Sequence, residues 1–575
     1  MFVGKKKSYD NNVTYIFSVL NNKVEIPLPI RINIYLISKS MKFLSLIWSF
    51  LSIAFSLEAT VSIVPLPQKC VEKKGHFTIT DKTMIYLTEE TEEMLNAVSV
   101  INDLLKRSAG YQLNITSKPQ KSNVIDCRIN KNIIEDEAYK LFVSKSSIKI
   151  EAKNPIGIFY ALQSVRQLLP ASIESSSVIS EKIKWEVPCV EIEDAPAFSY
   201  RGLMLDVSRH FKSKEFVKRY IDLLSFHKLN TFHWHLTDDQ GWRIEIKKYP
   251  NLTIIGGFRN QTLIGHGKAR PFKWNMEPYG GFYTQEDIKE VVEYANKRFV
   301  EIIPEIEMPG HSTAALASYP EFSCSGGPFD VIGRWGVFND IFCTKDTTFS
   351  FLEDVLTEIT ELFPSKYIHI GGDEAPKVRW ERCAACQQRM KEADILNEEH
   401  LQSYFVMRIE NFLKTKGKQI IGWDDILNGK VSSSATIMSW QGVKGGLRAA
   451  KEGHKVIMSP NTHCYFDFYQ TSDKESQPLA IGGFLPLEKV YSYYPIPENM
   501  TSKDARNIKG IQANLWSEYM PTESHTEYMT FPRAAALSEI CWTEKNKKDF
   551  ESFNKRLDKV KSHYDIMGIN YYKGK

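Results

Sequence analysis

The chain has no dominant charge: 73 Lys and Arg stand against 69 Asp and Glu over 575 residues. A net +4 spread over that length leaves no electrostatic footprint for nucleic acid. No second long apolar run follows the first, which excludes a polytopic membrane protein. No tandem repeat of the solenoid kind is visible. The glycine fingerprint of a dinucleotide-binding sheet is missing as well. Cysteine is sparse, nine in all, and the odd count leaves at least one thiol unpaired or intermolecular. What is present is globular in character. A composition of 43% apolar, 12% aromatic and 25% charged residues excludes intrinsic disorder and low-complexity fibres. The length exceeds one ordinary domain unless that domain is a barrel, and it allows a core that needs no disulfides. Eleven Trp and 26 Tyr suit a sugar-binding cleft, and equally a large core.

The one long apolar stretch runs from Phe43 to Leu57, directly after Met41 and Lys42. A basic start, a short apolar run and a small-residue exit (Ala54, Ser56, Ala59) describe a signal peptide. Translation is expected from Met41, with residues 1–40 an over-extension of the assigned reading frame upstream of the true start, and cleavage between Ser56 and Ala59. Sequons at Asn114, Asn251, Asn260 and Asn499 agree with export to a secreted or lysosome-like destination. In an exported chain the CxxC of Cys383 and Cys386 reads as a local disulfide rather than a zinc ligand pair. Cys324 and Cys343, which bracket a Gly-rich loop, form the second candidate pair.

Three segments follow from the pattern: an extension and signal segment at 1–59, a small α/β domain at 60–195, and a barrel at 196–575. The small domain mixes strand-like runs (Met84–Thr88, Ile148–Ala152) with a helix over Gly157–Leu169. The acidic stretch Glu191–Pro196 marks its end. Beyond it, eight short apolar runs alternate with amphipathic helices. They are Gly202–Val207, Thr231–Thr237, Val300–Ile306, Tyr367–Ile370, Gln419–Gly422, Ala435–Ser439, Lys455–Ser459 and Gly510–Leu515. The helices show stripes such as Phe216, Val217, Tyr220, Ile221 and Leu224, and Thr284 with Asp287 makes a capping-box start. Eight strand–helix alternations predict a (β/α)8 TIM barrel in an α/β chain, preceded by the small domain.

Chemistry in such a barrel gathers at the C-terminal strand ends. Those ends here carry Asp206, Arg209, His233, His235, Asp238, Asp239, Glu305, Glu307, His311, His369, Asp373, Glu374, Asp424, Asp425, Asp467 and Glu518. So many carboxylates in one place would be costly to desolvate unless they are paired or liganded. A metal hydrolase would use His233 and His235, whose spacing puts both on one strand face. A glycosidase would use acids together with aromatic platforms. Trp423, Trp440 and Trp516 at three separate strand ends favour the second, with the two histidines in a buried polar layer.

At Tyr367-Ile-His-Ile-Gly-Gly-Asp-Glu374 the sequence resembles glycoside hydrolase family 20, the β-N-acetylhexosaminidases. The likeness continues in Arg201–Phe211, His233–Asp239, Pro304–His311 and Ala513–Glu518, in family order. Asp239-Gln-Gly-Trp-Arg-Ile-Glu-Ile is closer to the bacterial-type branch than to the animal lysosomal one. The resemblance implies that Glu374 is the general acid/base and that Asp373 orients the substrate's 2-acetamido group. Tyr465 would donate to the acetamido oxygen. Arg209 and Glu518 would hold the 3- and 4-hydroxyls, and Asp467 the 6-hydroxyl. Trp423, Trp440 and Trp516 would wall the acetamido methyl and the ring, with Asp238, His311 and His369 as support. Glu307 stands where the family often carries Asp. The implied activity is exo-hydrolysis of terminal GlcNAc or GalNAc from oligosaccharides or glycoconjugates, with no metal and no organic cofactor. A homodimer is compatible with it, and a non-catalytic carbohydrate-binding relative is the alternative. Because adjacent carboxylates repel, one of Asp373 and Glu374 should titrate high, the more so if buried.

Overall fold

The computed structural model describes residues 61–574; the expected signal segment lies outside the described residues. The first part of the fold is a seven-stranded mixed sheet. Its strands are β1 (Lys69–Ile79), β2 (Met84–Leu87), β3 (Asn114–Thr116), β4 (Val124–Ile129), β5 (Tyr139–Val143), β6 (Ser147–Ala152) and β7 (Trp185–Asp194), in the order β1-β7-β5-β6-β4-β2-β3. Strands β5 and β6 pair antiparallel through Leu141 and Ile150, whose side chains alternate inward with Tyr139, Val143, Ile148 and Ala152. Two helices cover that face. Helix α1 (Glu92–Ala109) is capped by Thr91 and ends on Gly110 in the left-handed region, and α2 (Pro155–Leu168) begins with Pro at its first turn. The acidic segment expected to mark the domain's end begins inside β7, where Glu191 and Glu193 point away from the core and Ile192 points into it.

The second part is a closed barrel of eight parallel strands. They are β8 (Tyr200–Asp206), β9 (Thr231–His235), β10 (Glu301–Glu305), β11 (Tyr367–His369), β12 (Gln419–Trp423), β13 (Thr436–Ser439), β14 (Val456–Met458) and β15 (Ile508–Leu515). Each coincides with one of the apolar runs read from the sequence. Their helices pack outside. In α3 (Lys214–Phe226) the buried face is Phe216, Val217, Tyr220, Ile221 and Leu224, as the periodicity requires. In α4 (Gln285–Asn296) Thr284 and Asp287 form the reciprocal capping box. Helix α5 (Asp346–Leu362) buries Phe351, Leu352, Val355, Leu356 and Ile359. Inside the barrel Ile303, Ile421, Trp423, Met438 and Ile457 fill the lumen, so it is a packed core and not a pore.

The sheet is joined to the N-terminal end of the barrel by a buried polar knot. Asp194, the last residue of β7, accepts from the Tyr139 hydroxyl at 2.6 Å and from the Trp542 indole at 2.8 Å. It also pairs at 3.2 Å with Lys228, an ammonium with no solvent exposure that lies over the Trp542 ring. Beside it Arg201, at the start of β8, makes a bidentate pair with Glu137. Each buried charge therefore has a partner, without which its desolvation would be prohibitive.

Both disulfides expected from the sequence are absent. All nine cysteines are unbridged. Cys324, Cys343, Cys383 and Cys386 converge in one group of four rather than in two pairs, because the loop after β10 folds onto the segment after β11.

Candidate active site

The barrel register sets one row of polar groups level. Glu305 stands opposite His235 on one neighbouring strand and His369 on the other. Its carboxylate lies 2.7 Å from His369 Nδ1 and 3.1 Å from His233 Nε2, bonds to His235 Nδ1, and accepts the Trp423 indole N–H at 2.9 Å. Burial opposes the Glu305 charge, but the three imidazoles hold its pKa well below the usual range. Burial likewise works against protonated His235, yet Glu305 and Asp238 raise it to about 10. Burial carries His233 the other way, to about 4. The His-x-His pair thus lies in a carboxylate-centred polar layer.

Above that row lies a second group of charges. Arg209 reaches Asp238 at 2.6 Å, Asp206 at 3.2 Å and Glu518 at 3.9 Å, and its Nε donates to Gln240 at 2.8 Å. Burial disfavours its charge, but these acids outweigh that and keep it protonated. Asp206 also accepts the backbone N–H groups of Ser208, Arg209 and Ser517, which ties the end of β8 to the end of β15. His311 bridges to the next group. Its Nδ1 sits 3.3 Å from Asp238 and 3.1 Å from Asp239, and its Nε2 sits 3.4 Å from Glu374 and 3.9 Å from Asp373. Burial resists its protonation, but Asp238 and the other acids raise its pKa well above normal.

Asp373 and Glu374 follow two glycines in the left-handed region, Gly371 at φ +66° and Gly372 at φ +92°. A Cβ on Gly371 would stand 1.7 Å from Glu307 Oε2 on a backbone already in the left-handed region, so another residue would have to displace the Glu307 carboxylate and take on that strain. Glu374 and His311 are themselves left-handed, at φ +42° and +45°, strain of the kind that surrounding structure must hold in place at a functional site. The turn separates the adjacent carboxyls. Asp373 points inward and is buried, whereas the Glu374 side chain is 39% exposed. Burial pushes Asp373 up to about 8, with Asp425 and Glu374 adding to the effect and His311 opposing it. Its Oδ1 has no hydrogen-bond partner within the protein.

Aromatic rings line the remaining side. Trp440 stacks with Tyr465 at 6.2 Å between centroids, Tyr465 meets Trp516 at 6.4 Å, and Trp516 meets Trp423 at 5.8 Å. Trp440 and Trp516 are partly exposed; Trp423 is wholly buried and forms the floor beneath them. The Trp440 indole donates to Asp425 at 2.8 Å, which fixes its plane. Burial raises the Tyr465 pKa well above normal, so its hydroxyl remains a donor. Asp467 and Glu518 complete the rim. Burial raises both, Glu518 lifts Asp467 further, and each keeps one oxygen, Asp467 Oδ1 and Glu518 Oε2, without a partner in the protein.

Every site residue named from the sequence is therefore brought to this end of the barrel. Three contributors were not singled out. Gln240 links Arg209 to the Arg334 carbonyl, Trp335 packs on His210, and Tyr519 donates no contact to the acids but braces Trp335. Gln240 lies within the quoted Asp239–Ile246 phrase; Trp335 sits in a loop with no periodicity to mark it.

A parallel barrel whose strand ends hold buried, partly unpartnered acids beside indole faces defines a carbohydrate-processing (β/α)8 protein. Comparison with known proteins narrows this. The catalytic domain of glycosyl hydrolase family 20 matches residues 198–545, and domain 2 of that family matches residues 60–195. The chain is 44% identical over 516 residues to a beta-hexosaminidase of Porphyromonas gingivalis, across 89% of this chain and 64% of that protein. It thus spans less than two thirds of that relative's length. A beta-hexosaminidase of Vibrio furnissii is 36% identical over 485 residues, across 84% of this chain and 76% of the other. Among solved structures, the family 20 exo-β-N-acetylglucosaminidase of Vibrio harveyi superposes with a TM-score of 0.78 at 34% identity, covering 89% of this chain and 79% of that one. The β-N-acetylhexosaminidase of Streptomyces coelicolor gives 0.77 at 31% identity, covering 90% and 98%. The chain belongs to glycosyl hydrolase family 20.

Proposed function

We propose that this protein is an exo-acting β-N-acetylhexosaminidase that removes terminal GlcNAc or GalNAc with retention, using the substrate's own acetamido group as nucleophile. The observation that carries this is the state of the acids. Asp206 and Asp238 are tied to Arg209, Asp239 to His311, and Glu305 to three histidines. Asp467 and Glu518 hold their protons more tightly than ordinary acids. None of these is an unencumbered carboxylate. Asp373 and Glu374 are neighbours in sequence and so are poorly placed to flank a sugar from opposite faces. The usual retaining scheme places acid and nucleophile about 5 Å apart across the bond, and family 20 is a recognised substrate-assisted exception to it.

In this reading Glu374, on the exposed side of its turn, protonates the departing oxygen and later activates water. The buried Asp373 is driven to ionise by the positive charge that grows on the acetamido nitrogen, and its carboxylate then accepts the N–H and offsets that charge. Tyr465 donates to the acetamido oxygen and aims it at the anomeric carbon. Trp440 and Trp516 hold the ring and the methyl over the Trp423 floor, which keeps the acetamido in a near-attack geometry. Arg209, Glu518 and Asp467 read the sugar hydroxyls. The intact Glu374, Asp373 and Tyr465 speak against a purely carbohydrate-binding relative. The test compares an aryl N-acetyl-β-glucosaminide with its 2-hydroxy counterpart and adds a cyclic thiazoline mimic of the oxazolinium intermediate. Loss of turnover on the 2-hydroxy sugar and competitive inhibition by the thiazoline are expected. A stable sugar ester trapped on any Asp or Glu would overturn the mechanism.

We read residues 60–195 as a supporting domain and 196–575 as the catalytic one. Export is proposed on the strength of the Phe43–Leu57 stretch and its flanks.

A further inference from the structure

We propose that Cys324, Cys343, Cys383 and Cys386 form a structural zinc site that staples the two loops behind the Glu374 turn. The sulfur of Cys386 lies 3.7 Å from that of Cys324 and 3.5 Å from that of Cys343, and Cys343 lies 3.6 Å from Cys383. All four sulfurs fall within 4.8 Å of one another. Tetrahedral zinc with bonds of about 2.3 Å separates its thiolates by about 3.8 Å, the spacing seen here. Disulfides would partition the sulfurs into bonded pairs about 2.0 Å apart. Here Cys343 and Cys386 each have two close sulfur neighbours, so the group is one cluster and not two pairs.

The backbone explains the convergence. Ser323 and Phe342 form an antiparallel bridge, and the Cys343 N–H donates to the Phe322 carbonyl at 2.9 Å, which sets Cys324 and Cys343 side by side. Cys383 ends helix α6 (Val378–Arg382) and starts helix α7 (Ala384–Glu392), with Cys386 one turn on. The Trp380 indole donates to the Phe342 carbonyl at 2.9 Å, and Arg379 forms a bidentate pair with Asp340, so the two segments are already docked. Four thiolates supply every ligand that zinc takes in a closed structural site, which leaves no position for substrate or water. Three of the four are buried, and Cys324 is partly exposed.

The site stands apart from the chemistry but reaches it from both sides. Helix α6 begins four residues after Glu374. The loop between Cys324 and Cys343 carries Arg334, whose carbonyl is joined through Gln240 to Arg209, and Trp335, which packs on His210. Zinc would therefore fix the spacing between the Glu374 turn and the Arg209 corner.

The test uses the full chain purified without chelator. Elemental analysis should find one zinc per chain. Exchange with Co2+ should give the thiolate-to-metal charge-transfer and d–d bands of a tetrahedral sulfur site. The Cys383→Ser, Cys386→Ser double variant should lose the metal, whereas Cys70→Ser, far from the cluster, should keep it. The double variant should lower kcat even where it remains folded, unfold earlier and be cut by protease between residues 324 and 343. If it fails to fold, stoichiometry and the cobalt spectrum of the unaltered chain still decide. A metal-free protein with four titratable thiols at the cluster, a mass showing oxidised pairs, iron in place of zinc, or zinc retained by the double variant would each overturn the proposal.

Discussion

Glu305→Gln preserves the size of the side chain at the centre of the polar row and removes its charge. The native carboxylate faces His233, His235 and His369 and takes the Trp423 N–H. An amide offers one acceptor oxygen where the Trp423 N–H and the His235 imidazole both bond, and it brings N–H groups of its own toward the other two imidazoles. Breaking a buried charge network in this way costs about 3–5 kcal/mol. The pH dependence is the sharper readout. Burial opposes the charge on His235, but Glu305 and Asp238 raise its pKa from 6.5 to about 10. A folded-state pKa raised above the unfolded one gives stability that is complete below pH 6.5 and is lost as pH rises toward 10. At about 1.36 kcal/mol per unit, the ceiling on that loss is about 4 kcal/mol between pH 6.5 and 9.5. In the variant His235 keeps Asp238 and the more distant Asp206, so its curve should be flatter. The depressed pKa of Glu305 works in the opposite sense: its stabilisation is present above the ordinary carboxyl range and is lost as pH falls below it. Urea denaturation of both proteins from pH 4 to 9.5 measures the gap. It should be widest near pH 6 and close in both directions. A gap independent of pH would refute the assignment of the His235 proton to Glu305.

Other outcomes follow from the same geometry. Glu374→Gln should lower turnover by about 10²–10⁴-fold, less for substrates with good leaving groups, and equal losses across a leaving-group series would assign Glu374 another role. Asp373→Asn should lower kcat more than it raises KM, because its charge matters most as the acetamido nitrogen becomes positive; a change in KM alone would contradict this. Asp194→Ala leaves the Lys228 ammonium buried without its acid, and a loss of about 3–5 kcal/mol in chemical denaturation is expected; unchanged stability would show that the knot is dispensable. N-terminal sequencing of exported protein should find a start between Ser56 and Ala59, and residues 1–40 on the mature chain would refute the signal assignment.

The barrel was legible because each of its strands is a short apolar run bounded by polar residues, and because α3, α4 and α5 carry clean stripes and the first two also carry caps. The strand ends were legible for the same reason: a carboxylate directly after an apolar strand is conspicuous. What one strand does to another was not legible. Glu305 looked like any other strand-end acid, and only closure of the barrel sets it level with His235 and His369. The burial of Trp423, unlike Trp440 and Trp516, depends on how far each ring projects beyond its strand. The cysteines failed for a related reason. Cys383 and Cys386 invite a local pairing, and the two partners that change the reading lie on a loop from a different strand. Which of Asp373 and Glu374 is buried depends on a left-handed turn that no periodicity encodes.

The knot around Asp194 lies at the N-terminal mouth of the barrel, and Asp373, Glu374 and the indoles lie at the other. Cohesion and recognition are thereby housed at opposite poles of one cylinder. The loops that bear Arg209, Trp335, Trp440 and Asp467 can be diversified to alter which sugar is read without touching the joint that anchors the sheet. The reverse operation has no such freedom. A barrel excised at residue 196 would carry Lys228 and Arg201 on its lower rim, stripped of Asp194 and Glu137. Grafting this catalytic end onto other architectures therefore means transplanting the small sheet with it.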